Sequence, residues 1–179
     1  TKKKYNILMK VSIILPTYNE RKNILPLVNS IKKYLNNYDY EIIIIDDNSP
    51  DQTAFECKKK FSKDKRINVI QNKIRIGLAK SILTGIKLSR NDKLVVMDTD
   101  FTHSPILIPK MLRLSKEYDI ISGSRYCSGG YMEDQIHSHL SYFYNLVLKL
   151  ILKTQVQDNL GGYFCIDRKK LLRLNLKKF

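Results

Sequence analysis

Apolar positions in the first part of the chain alternate between short runs and helical spacing. Residues 11–15 are a β-branched run that predicts a strand, and the apolar positions of residues 24–35 recur at helical intervals. Residues 41–45 are apolar at every position after Glu41, which favours a parallel strand covered by helices on both faces. Further predicted elements are strands at residues 67–70 and 93–97, with a helix at residues 78–88 between them.

This alternation of strands and helices defines the fold class that we expect. Short connections between successive units are typical of a doubly wound α/β fold, with a mostly parallel sheet, helices on both faces and Rossmann-like nucleotide binding. Ligands of such folds bind beyond the carboxyl ends of the strands, so functional residues are expected there. The remaining predicted elements are a helix after Pro105, a strand at residues 119–122, a Gly-rich loop at residues 128–130 and an amphipathic stretch at residues 138–152.

The chain is strongly basic. It has 32 Lys and Arg residues against 17 Asp and Glu residues, a formal net charge of +15. Such a surface attracts polyanions, anionic lipid head groups or phosphorylated substrates, although a chain rich in Lys, Asn and Ile carries part of this charge as background. The basic residues are scattered and lack the aromatic signature of RNA-binding domains, so nucleic acid is not an expected partner.

Cysteine spacing and hydropathy bear on the compartment. Cys57, Cys127 and Cys165 are odd in number and far apart, which argues against a disulfide framework and a CxxC metal site and favours a reducing compartment. No run approaches the roughly 18 apolar residues of a membrane span, and the opening Lys-rich run lacks the apolar core of a signal peptide. Membrane association is therefore expected to be peripheral or to depend on sequence outside this chain.

Two carboxylates, Asp98 and Asp100, follow the predicted strand at residues 93–97 directly. Carboxylate oxygens suit Mg²⁺ or Mn²⁺, which proteins commonly share with substrate phosphates, so this turn is a candidate metal and diphosphate site. The alternative is an ordinary turn that caps the next helix. Position after a buried strand favours the metal site only if other acidic turns lie at the same edge.

Two other strand ends carry such turns, at residues 16–20 and 46–51. Carboxylates there, Glu20 and Asp47, can accept hydrogen bonds from base or ribose groups, and Tyr18 can offer an aromatic face. Because parallel strands end at one edge of the sheet, the three turns together predict a nucleotide site. Roles as Asx turns and helix N-caps are expected in addition for Asn48, Ser49 and Asp51.

The segment Arg75 to Lys80 is a second candidate for binding phosphate. It combines a cation, Gly77 and the start of a predicted helix, where amide N–H groups can hold an anion. A lone glycine at such a position is more often only a turn. The chain has no GxxxxGK[ST] element and no GxGxxG after a strand, which excludes a P-loop enzyme by motif.

Four segments, taken together, carry a family resemblance. They are Leu15-Pro16-Thr17-Tyr18-Asn19-Glu20, Ile45-Asp46-Asp47-Asn48-Ser49-Pro50-Asp51, Met97-Asp98-Thr99-Asp100 and Gly123-Ser124-Arg125-Tyr126. In this order and spacing they resemble the motifs of family 2 inverting glycosyltransferases, and among these the dolichyl-phosphate (polyprenyl-phosphate) mannose synthases. The resemblance implies a GT-A fold, GDP-mannose as donor, Mg²⁺ or Mn²⁺, and a dolichyl or other polyprenyl phosphate as acceptor, giving a lipid-linked sugar for glycosylation.

The resemblance also assigns site residues. Those implied to bind the nucleotide sugar are Pro16, Tyr18, Glu20, Ile45, Asp47, Asp98, Thr99, Asp100, Arg125 and Arg168. Those implied to hold the metal are Asp98, Asp100 and Thr102, and those implied to be catalytic are Asp98, Asp100 and Arg125. Arg125 has a rationale of its own, because a guanidinium beside a Gly-rich loop suits bidentate phosphate recognition.

The chain departs from the family pattern on the acceptor side. Phe164 stands where the mannose synthases have an arginine, with Arg168 as the nearby basic residue, and His137 stands where they have another arginine. An acceptor that is already an anionic phosphate needs little general-base help, so no histidine is required. His103 is therefore expected to be a solvent-facing or helix-start residue rather than a ligand of the metal or acceptor.

These inferences fix the expected organisation. Residues 1–10 are predicted to be a basic leader and residues 11–179 a glycosyltransferase catalytic domain that ends earlier than a full family domain. Expected partners include a peripheral membrane surface or an anchoring subunit, at the cytosolic face of the endoplasmic reticulum or of a prokaryotic plasma membrane. Residues 138–152 could lie on that surface or pack on the sheet.

Two alternatives to mannosyl transfer remain open from the sequence. The first is a family 2 transferase that uses another nucleotide sugar, such as UDP-glucose, or a glycan acceptor. The second is a catalytically weakened domain that binds nucleotide as a scaffold, which Phe164 and the early end of the family match suggest.

Overall fold

A computed structural model describes residues 9–124, 158 and 161–173. Its strands are β1 (Lys10–Thr17), β2 (Asp39–Asp46), β3 (Ile67–Gln71), β4 (Lys93–Val96), β5 (Ile120–Ser122) and β6 (Phe164–Asp167). Its helices are α1 (Ile24–Tyr34), α2 (Thr53–Phe61), α3 (Leu78–Leu88), α4 (Ile108–Leu114), which follows a 3₁₀ turn at Pro105–Leu107, and α5 (Arg168–Arg173). The Gly-rich loop and the amphipathic stretch predicted at 138–152 lie outside the described residues.

The strands form a six-stranded sheet in the order β3-β2-β1-β4-β6-β5. Strand β1 pairs in parallel with β2 and β4, and β2 pairs in parallel with β3. Strand β6 returns between β4 and β5 and is antiparallel to both. The predicted α/β fold with a mostly parallel sheet is confirmed, and the antiparallel β6 is a feature that the hydrophobic pattern did not predict.

Pro16 lies inside the central strand β1, although proline cannot donate to a strand ladder. Successive residues of β1 direct their backbone groups in turn toward β4 and toward β2. On the β4 side, the Met97 amide donates to Ile14 O at 3.3 Å, and on the β2 side the Asp47 amide donates to Thr17 O at 2.8 Å. The nitrogen of Pro16 therefore faces the β4 side of the sheet, beyond Val96, where β4 has ended. The ring costs no ladder hydrogen bond, and the strand continues to the edge of the site.

Apolar layers cover both faces of the sheet. Helices α1, α2 and α4 pack on one face, where Leu27, Ile31 and Met111 join the cluster under Ile13 and Leu15. Helices α3 and α5 cover the other face, and their cluster includes Ile14, Ile82, Ile86, Val96, Ile166 and Leu171. Because both faces are apolar, the strands read as continuous hydrophobic runs rather than alternating ones, as β2 does.

Helix α3 approaches β1 most closely at Gly85. A Cβ at this position would lie 2.4 Å from Ile14 Cγ2, a buried β-branched side chain on the central strand. We expect Gly85→Ala to lower the free energy of unfolding by about 1–2 kcal/mol, because overpacking outweighs the gain in helix propensity. Urea unfolding measures this, with the exposed Lys87→Ala on the same helix as control. Equal stability of both variants would contradict the close contact.

A buried carboxylate ties the strands together at the amino edge of the sheet. Glu41 accepts hydrogen bonds from Ser12 Oγ at 2.6 Å, from the Arg90 amide at 2.7 Å and from Arg90 Nε at 3.1 Å. Burial alone would raise the pKa of Glu41, but the hydrogen bonds from Ser12 and Arg90 outweigh it and lower the pKa. The carboxylate form therefore stabilises the fold.

This depressed pKa makes the contribution of Glu41 dependent on pH. It is fully present above the unfolded-state pKa of about 4.3 and is lost as the pH falls through the lower folded-state pKa. We expect Glu41→Gln to destabilise the protein by about 1–2 kcal/mol at pH 7 and by less below pH 4. Denaturant unfolding at pH 7 and pH 3.5 tests this, and Glu56→Gln, which removes an exposed ion pair with Arg21, is the control. A loss that is the same at both pH values would refute the charge argument.

The described part of the chain has no helix with the length and apolar character needed to cross a membrane.

Candidate active site

Three turns begin side by side at the carboxyl edge of the sheet. Strand β1 lies between β2 and β4, and all three run in parallel. The turn that follows β2 is tied to the end of β1 by the hydrogen bond from the Asp47 amide to Thr17 O. The structure therefore brings together the predicted acidic turns at residues 16–20, 46–51 and 98–100.

Side chains of the second turn hold the first turn in place. The Asn19 amide donates to Ser49 Oγ at 2.9 Å, and the Glu20 amide donates to Thr53 Oγ1 at 3.1 Å. Asn19 and Asn48 adopt positive φ values of 60° and 61°, which asparagine tolerates better than most residues. The Glu20 carboxylate accepts a hydrogen bond from Asn23 Nδ2 at 2.8 Å, which orients it at this edge.

Local turn roles were expected for Asn48, Ser49 and Asp51; the structure gives one to Asp51 and another to Asp46, for which none was predicted. The Ser49 amide donates to Asp46 Oδ2 at 3.0 Å, and the Thr53 amide donates to Asp51 Oδ1 at 3.0 Å at the start of α2. Pro16 and Ile45 are partners in the β1–β2 register and are both buried, so a nucleotide could contact them mainly through the backbone at this edge. These residues shape the site rather than supply its charge.

Asp47 connects the second turn to the loop before α3. Its Oδ1 accepts hydrogen bonds from Asn72 Nδ2 at 3.0 Å and the Ile76 amide at 2.8 Å, and its Oδ2 accepts one from the Gly77 amide at 2.8 Å. Burial raises the pKa of this carboxyl, but the hydrogen bonds outweigh burial and hold the pKa below its ordinary value. Asp47 is therefore ionised and fixed before any ligand binds.

These contacts bear on the predicted phosphate site between Arg75 and Lys80. The amides of Ile76 and Gly77, just before α3, donate to the Asp47 carboxylate. A phosphate at this helix start stays a prediction, and it would have to use the amides of the first turn of α3, which begins at Leu78. Asn72, which also donates to the Asp47 carboxylate, was not identified from the sequence because a polar residue after a strand is common in any loop.

Arg75 lies over the ring of Tyr18, with its guanidinium carbon 4.0 Å from the ring centroid. One face of this predicted aromatic platform is therefore covered by a cation. Arg75 is exposed, so its guanidinium stands at the surface of the site as a positive charge next to the turns that follow β1 and β2. Such a charge suits a diphosphate ligand.

Asp98 is the first acid of the third turn, and its side chain is 38% exposed. The Asp98 amide donates to His103 Nδ1 at 2.9 Å. Gly162 lies against the carboxylate, because a Cβ there would be 3.0 Å from Asp98 Oδ2. His103 was expected to be a solvent-facing or helix-start residue. It is only 9% exposed, so it does not face solvent, but it does lie at a helix start, two residues before the 3₁₀ turn that begins at Pro105. The sequence offered one signal of the contact with Asp98: His103 lies five residues after it, on the same turn.

Asp100 is the exposed acid of this turn. Its Oδ1 accepts hydrogen bonds from the Thr102 amide at 3.0 Å and from Thr102 Oγ1 at 2.6 Å. Thr102, a predicted metal ligand, thus orients Asp100, and its hydroxyl proton is committed to that contact. Thr99 is 3% exposed, so a diphosphate could reach it mainly through the backbone.

The donor set at this turn fits a hard divalent cation. The described residues contain no group of three or more His, Cys, Asp or Glu side chains placed to hold a metal. Mg²⁺ sites commonly use one or two carboxylates and take their other ligands from substrate phosphate and water. Asp98 and Asp100 match that pattern, with the remaining ligands left to a bound diphosphate.

Arg168 is the predicted site residue that the structure places elsewhere. It begins α5 after the antiparallel β6, its amide donates to Asp92 O at 2.8 Å, and its Nε donates to Ser89 Oγ at 3.1 Å. Both partners precede β4, so Arg168 lies at the amino edge of the sheet, opposite Asp98. The reversed direction of β6 explains the error. Arg125 and His137 lie outside the described residues.

Phe164, which replaces the family's arginine, packs half-buried with the apolar cluster on the α3 face of the sheet. It pairs in register with Val96, the last residue of β4. An aromatic side chain here contributes to the core beside the turn that follows β4.

Comparison with known proteins places this geometry in context. The chain is 42% identical over 127 residues to a dolichol-phosphate mannosyltransferase of Pyrococcus furiosus, which covers 70% of this chain and 36% of the relative. It is 29% identical over 160 residues to an undecaprenyl-phosphate mannosyltransferase of Micrococcus luteus, which covers 87% of this chain and 65% of the relative. The chain therefore spans between about a third and two thirds of the length of these relatives.

The fold is also found in a solved structure. Glucosyl-3-phosphoglycerate synthase from Mycobacterium tuberculosis, crystallised with Mn²⁺, uridine diphosphate and phosphoglyceric acid, superposes with a TM-score of 0.72 at 17% identity. The superposition covers 93% of this chain and 58% of that one, and it confirms the GT-A type of fold. The sequence model of glycosyl transferase family 2 matches residues 12–174. The chain belongs to glycosyl transferase family 2 and is a glycosyltransferase domain.

Proposed function

We propose that this chain transfers mannose from GDP-mannose to a polyprenyl phosphate, such as a dolichyl phosphate, with inversion at the anomeric carbon. The observation that carries the proposal is the meeting of three acid-bearing turns at one edge of the sheet, in a chain that is 42% identical to a dolichol-phosphate mannosyltransferase. The Micrococcus luteus relative, named for undecaprenyl phosphate, supports the same class of acceptor.

The two turns after β1 and β2 would bind the nucleotide. Tyr18 offers its ring, Glu20 and Asp47 offer carboxylate oxygens to ribose or base N–H and O–H groups, and Pro16 and Ile45 offer backbone. Asp47 is held by backbone amides, so a nucleotide would meet a rigid acceptor rather than a mobile side chain. Arg75 and Arg125 would add positive charge near the diphosphate.

The third turn would hold the metal and the diphosphate. Asp98 and Asp100 would bind Mg²⁺ or Mn²⁺ together with donor phosphate oxygens, and the cation would offset charge on the departing diphosphate. An oxygen of the acceptor phosphate attacks the anomeric carbon as the bond from that carbon to the diphosphate oxygen breaks, so mannose moves to the lipid phosphate and GDP leaves. The attacking oxygen is already anionic, so the site needs no general base.

The lipid acceptor implies work at a membrane surface. We infer that the domain acts peripherally at the cytosolic face of a membrane, by its own surface or through an anchoring segment or subunit. The net charge of +15 suits anionic head groups and the phosphorylated acceptor.

Transfer is tested directly with labelled GDP-mannose and a short-chain polyprenyl phosphate. We expect a lipid-linked mannose to form. Its formation should require Mg²⁺ or Mn²⁺ and should stop when EDTA chelates the metal. If the protein binds GDP but forms no lipid-linked mannose, polyprenyl phosphate is not its acceptor. That result would favour a glycan acceptor or a nucleotide-binding scaffold.

The base of the donor is tested by thermal shift. We expect GDP and GDP-mannose with Mn²⁺ to raise the melting temperature more than UDP or UDP-glucose at equal concentration, because a ligand that binds only the folded state stabilises it. The solved relative crystallised with uridine diphosphate makes UDP-glucose the specific alternative. A larger rise in melting temperature with the uridine nucleotides would mean that UDP-glucose, rather than GDP-mannose, is the donor.

A further inference from the structure

A histidine side chain accepts a hydrogen bond from the backbone of the turn at Asp98, the proposed metal site. Strand β4 ends at Val96, so the strand ladder stops before Asp98. The Asp98 amide donates to His103 Nδ1 at 2.9 Å, and the same nitrogen lies 3.5 Å from Asp98 Oδ2. Since Nδ1 accepts a hydrogen bond, the imidazole is the neutral tautomer that carries its proton on Nε2.

The imidazole is in turn held by Tyr163. The two rings stack with centroids 4.9 Å apart and an interplanar angle of 23°. Tyr163 is 2% exposed, and its hydroxyl donates to Ser104 O at 3.0 Å, on the residue after His103. The tyrosine thus contacts the turn through its ring and through its hydroxyl, which leaves the imidazole little freedom to rotate.

Two glycines make room for this arrangement. A Cβ at Gly162 would come within 3.0 Å of Asp98 Oδ2, and one at Gly123 would come within 2.7 Å of Tyr163 Cδ1. The Gly123 amide also donates to Tyr163 O at 2.8 Å, which fixes the tyrosine's backbone next to the end of β5. Segments before β6 and after β5 therefore converge on the side of Asp98 that faces the protein.

We propose that His103 is a positioning residue for the metal site, which fixes Asp98 by accepting its amide hydrogen and is itself aligned by Tyr163. The proposal rests on the proposed role of Asp98 as a metal ligand. A residue that orients a ligand in this way commonly changes metal affinity by about 10- to 100-fold when it is removed. The necessary feature is an acceptor atom at the δ1 position, not an imidazole ring.

This feature separates the conservative substitutions. Asparagine carries an acceptor oxygen at Oδ1, one bond beyond Cγ, as the histidine carries Nδ1. Glutamine carries its acceptor one carbon farther out, and alanine has none. The proposal therefore ranks His103→Asn close to the unchanged protein, with His103→Gln and His103→Ala both impaired.

The experiment titrates the whole chain with Mn²⁺ in the presence of GDP. Electron paramagnetic resonance monitors the free Mn²⁺ and so gives the Mn²⁺ affinity. We expect His103→Ala to weaken Mn²⁺ binding by about 10-fold or more and His103→Asn to restore it to within about 3-fold, with metal-free GDP affinity changed by less than about 2-fold. Gly85→Ala is the matched control, because it lowers stability on the other face of the sheet and should leave Mn²⁺ affinity unchanged.

Several results would overturn the proposal. Equal Mn²⁺ affinity of the alanine variant and the unchanged protein would remove the positioning role and leave the proposed function standing. Equal weakening in the alanine and asparagine variants would mean that the ring matters, and a directly coordinated nitrogen in the pulsed resonance spectrum would make His103 a ligand. Absence of Mn²⁺ binding by the unchanged protein with GDP would reject the metal role of Asp98 and this inference with it.

Discussion

Replacing Asp100 by alanine is expected to lower kcat for mannosyl transfer by about 10²- to 10³-fold while leaving the fold intact, on the scale of losing one electrostatic contact to the reacting groups. Asp100 is exposed, and its hydrogen bonds within the described residues are with Thr102 on its own turn. Its removal should therefore cost little stability. The carboxylate matters only when a cation and a diphosphate are bound.

Initial rates with saturating GDP-mannose and Mn²⁺ measure this effect. Asp100→Asn keeps the size and one acceptor oxygen but loses the charge, so it should be nearly as inactive as the alanine variant. Glu117→Ala removes an exposed carboxylate beyond α4 and serves as the control. Transfer by Asp100→Ala within 10-fold of the unchanged rate would mean that the metal, if used, is held elsewhere.

Replacing Asp47 by alanine is expected to cost both stability and donor binding. The amides of Ile76 and Gly77 and the side chain of Asn72 would lose their acceptor, and unsatisfied partly buried donors cost about 1–3 kcal/mol each. Since water can reach part of this loop, we expect a total loss of about 2–4 kcal/mol. Donor affinity should fall about 100-fold, because the loop before α3 and the carboxylate are lost together.

The Asp47 effect also has a defined pH dependence. Its folded-state pKa is depressed, so its contribution to stability is present above the unfolded-state value of about 3.9 and is lost as the pH falls through the lower folded-state pKa. Urea unfolding from pH 7 to pH 3 and GDP titration at pH 7 measure the two losses. Asp64→Asn is the control, because Asp64 also has a lowered pKa, caused mainly by Arg66 and Lys32, but lies away from the site. If both variants bound GDP normally, Asp47 would have only a structural role.

The parallel part of the fold followed from local pattern. Strands β1 to β4 and the intervening helices are each encoded within a short window, and α3 was predicted with its observed bounds, residues 78–88. Strand β6 was missed because its place in the sheet depends on a partner, β4, that is distant in sequence. The same omission produced the error on Arg168, whose edge of the sheet depends on the direction of β6.

The candidate site divides in the same way. The three acidic turns were predictable because parallel strands must end at a common edge, which places Glu20, Asp47 and Asp98 there without knowledge of any side-chain contact. What the pattern did not predict was which groups satisfy one another. An aspartate that binds a ligand and one that binds an amide look alike in sequence, and so do a buried and an exposed histidine on a polar turn.

The late return of β6 has a consequence for how the protein matures during synthesis. The turns after β1 and β2, with the loop that Asp47 holds, are built from residues that leave the ribosome early and contact one another through local βαβ units. Tyr163 and Gly162, which back the turn at Asp98, emerge much later, and their pairing must close a long stretch of chain. The nascent domain can therefore first form the half that we propose recognises the base, while the half that we propose holds the cation waits for β6.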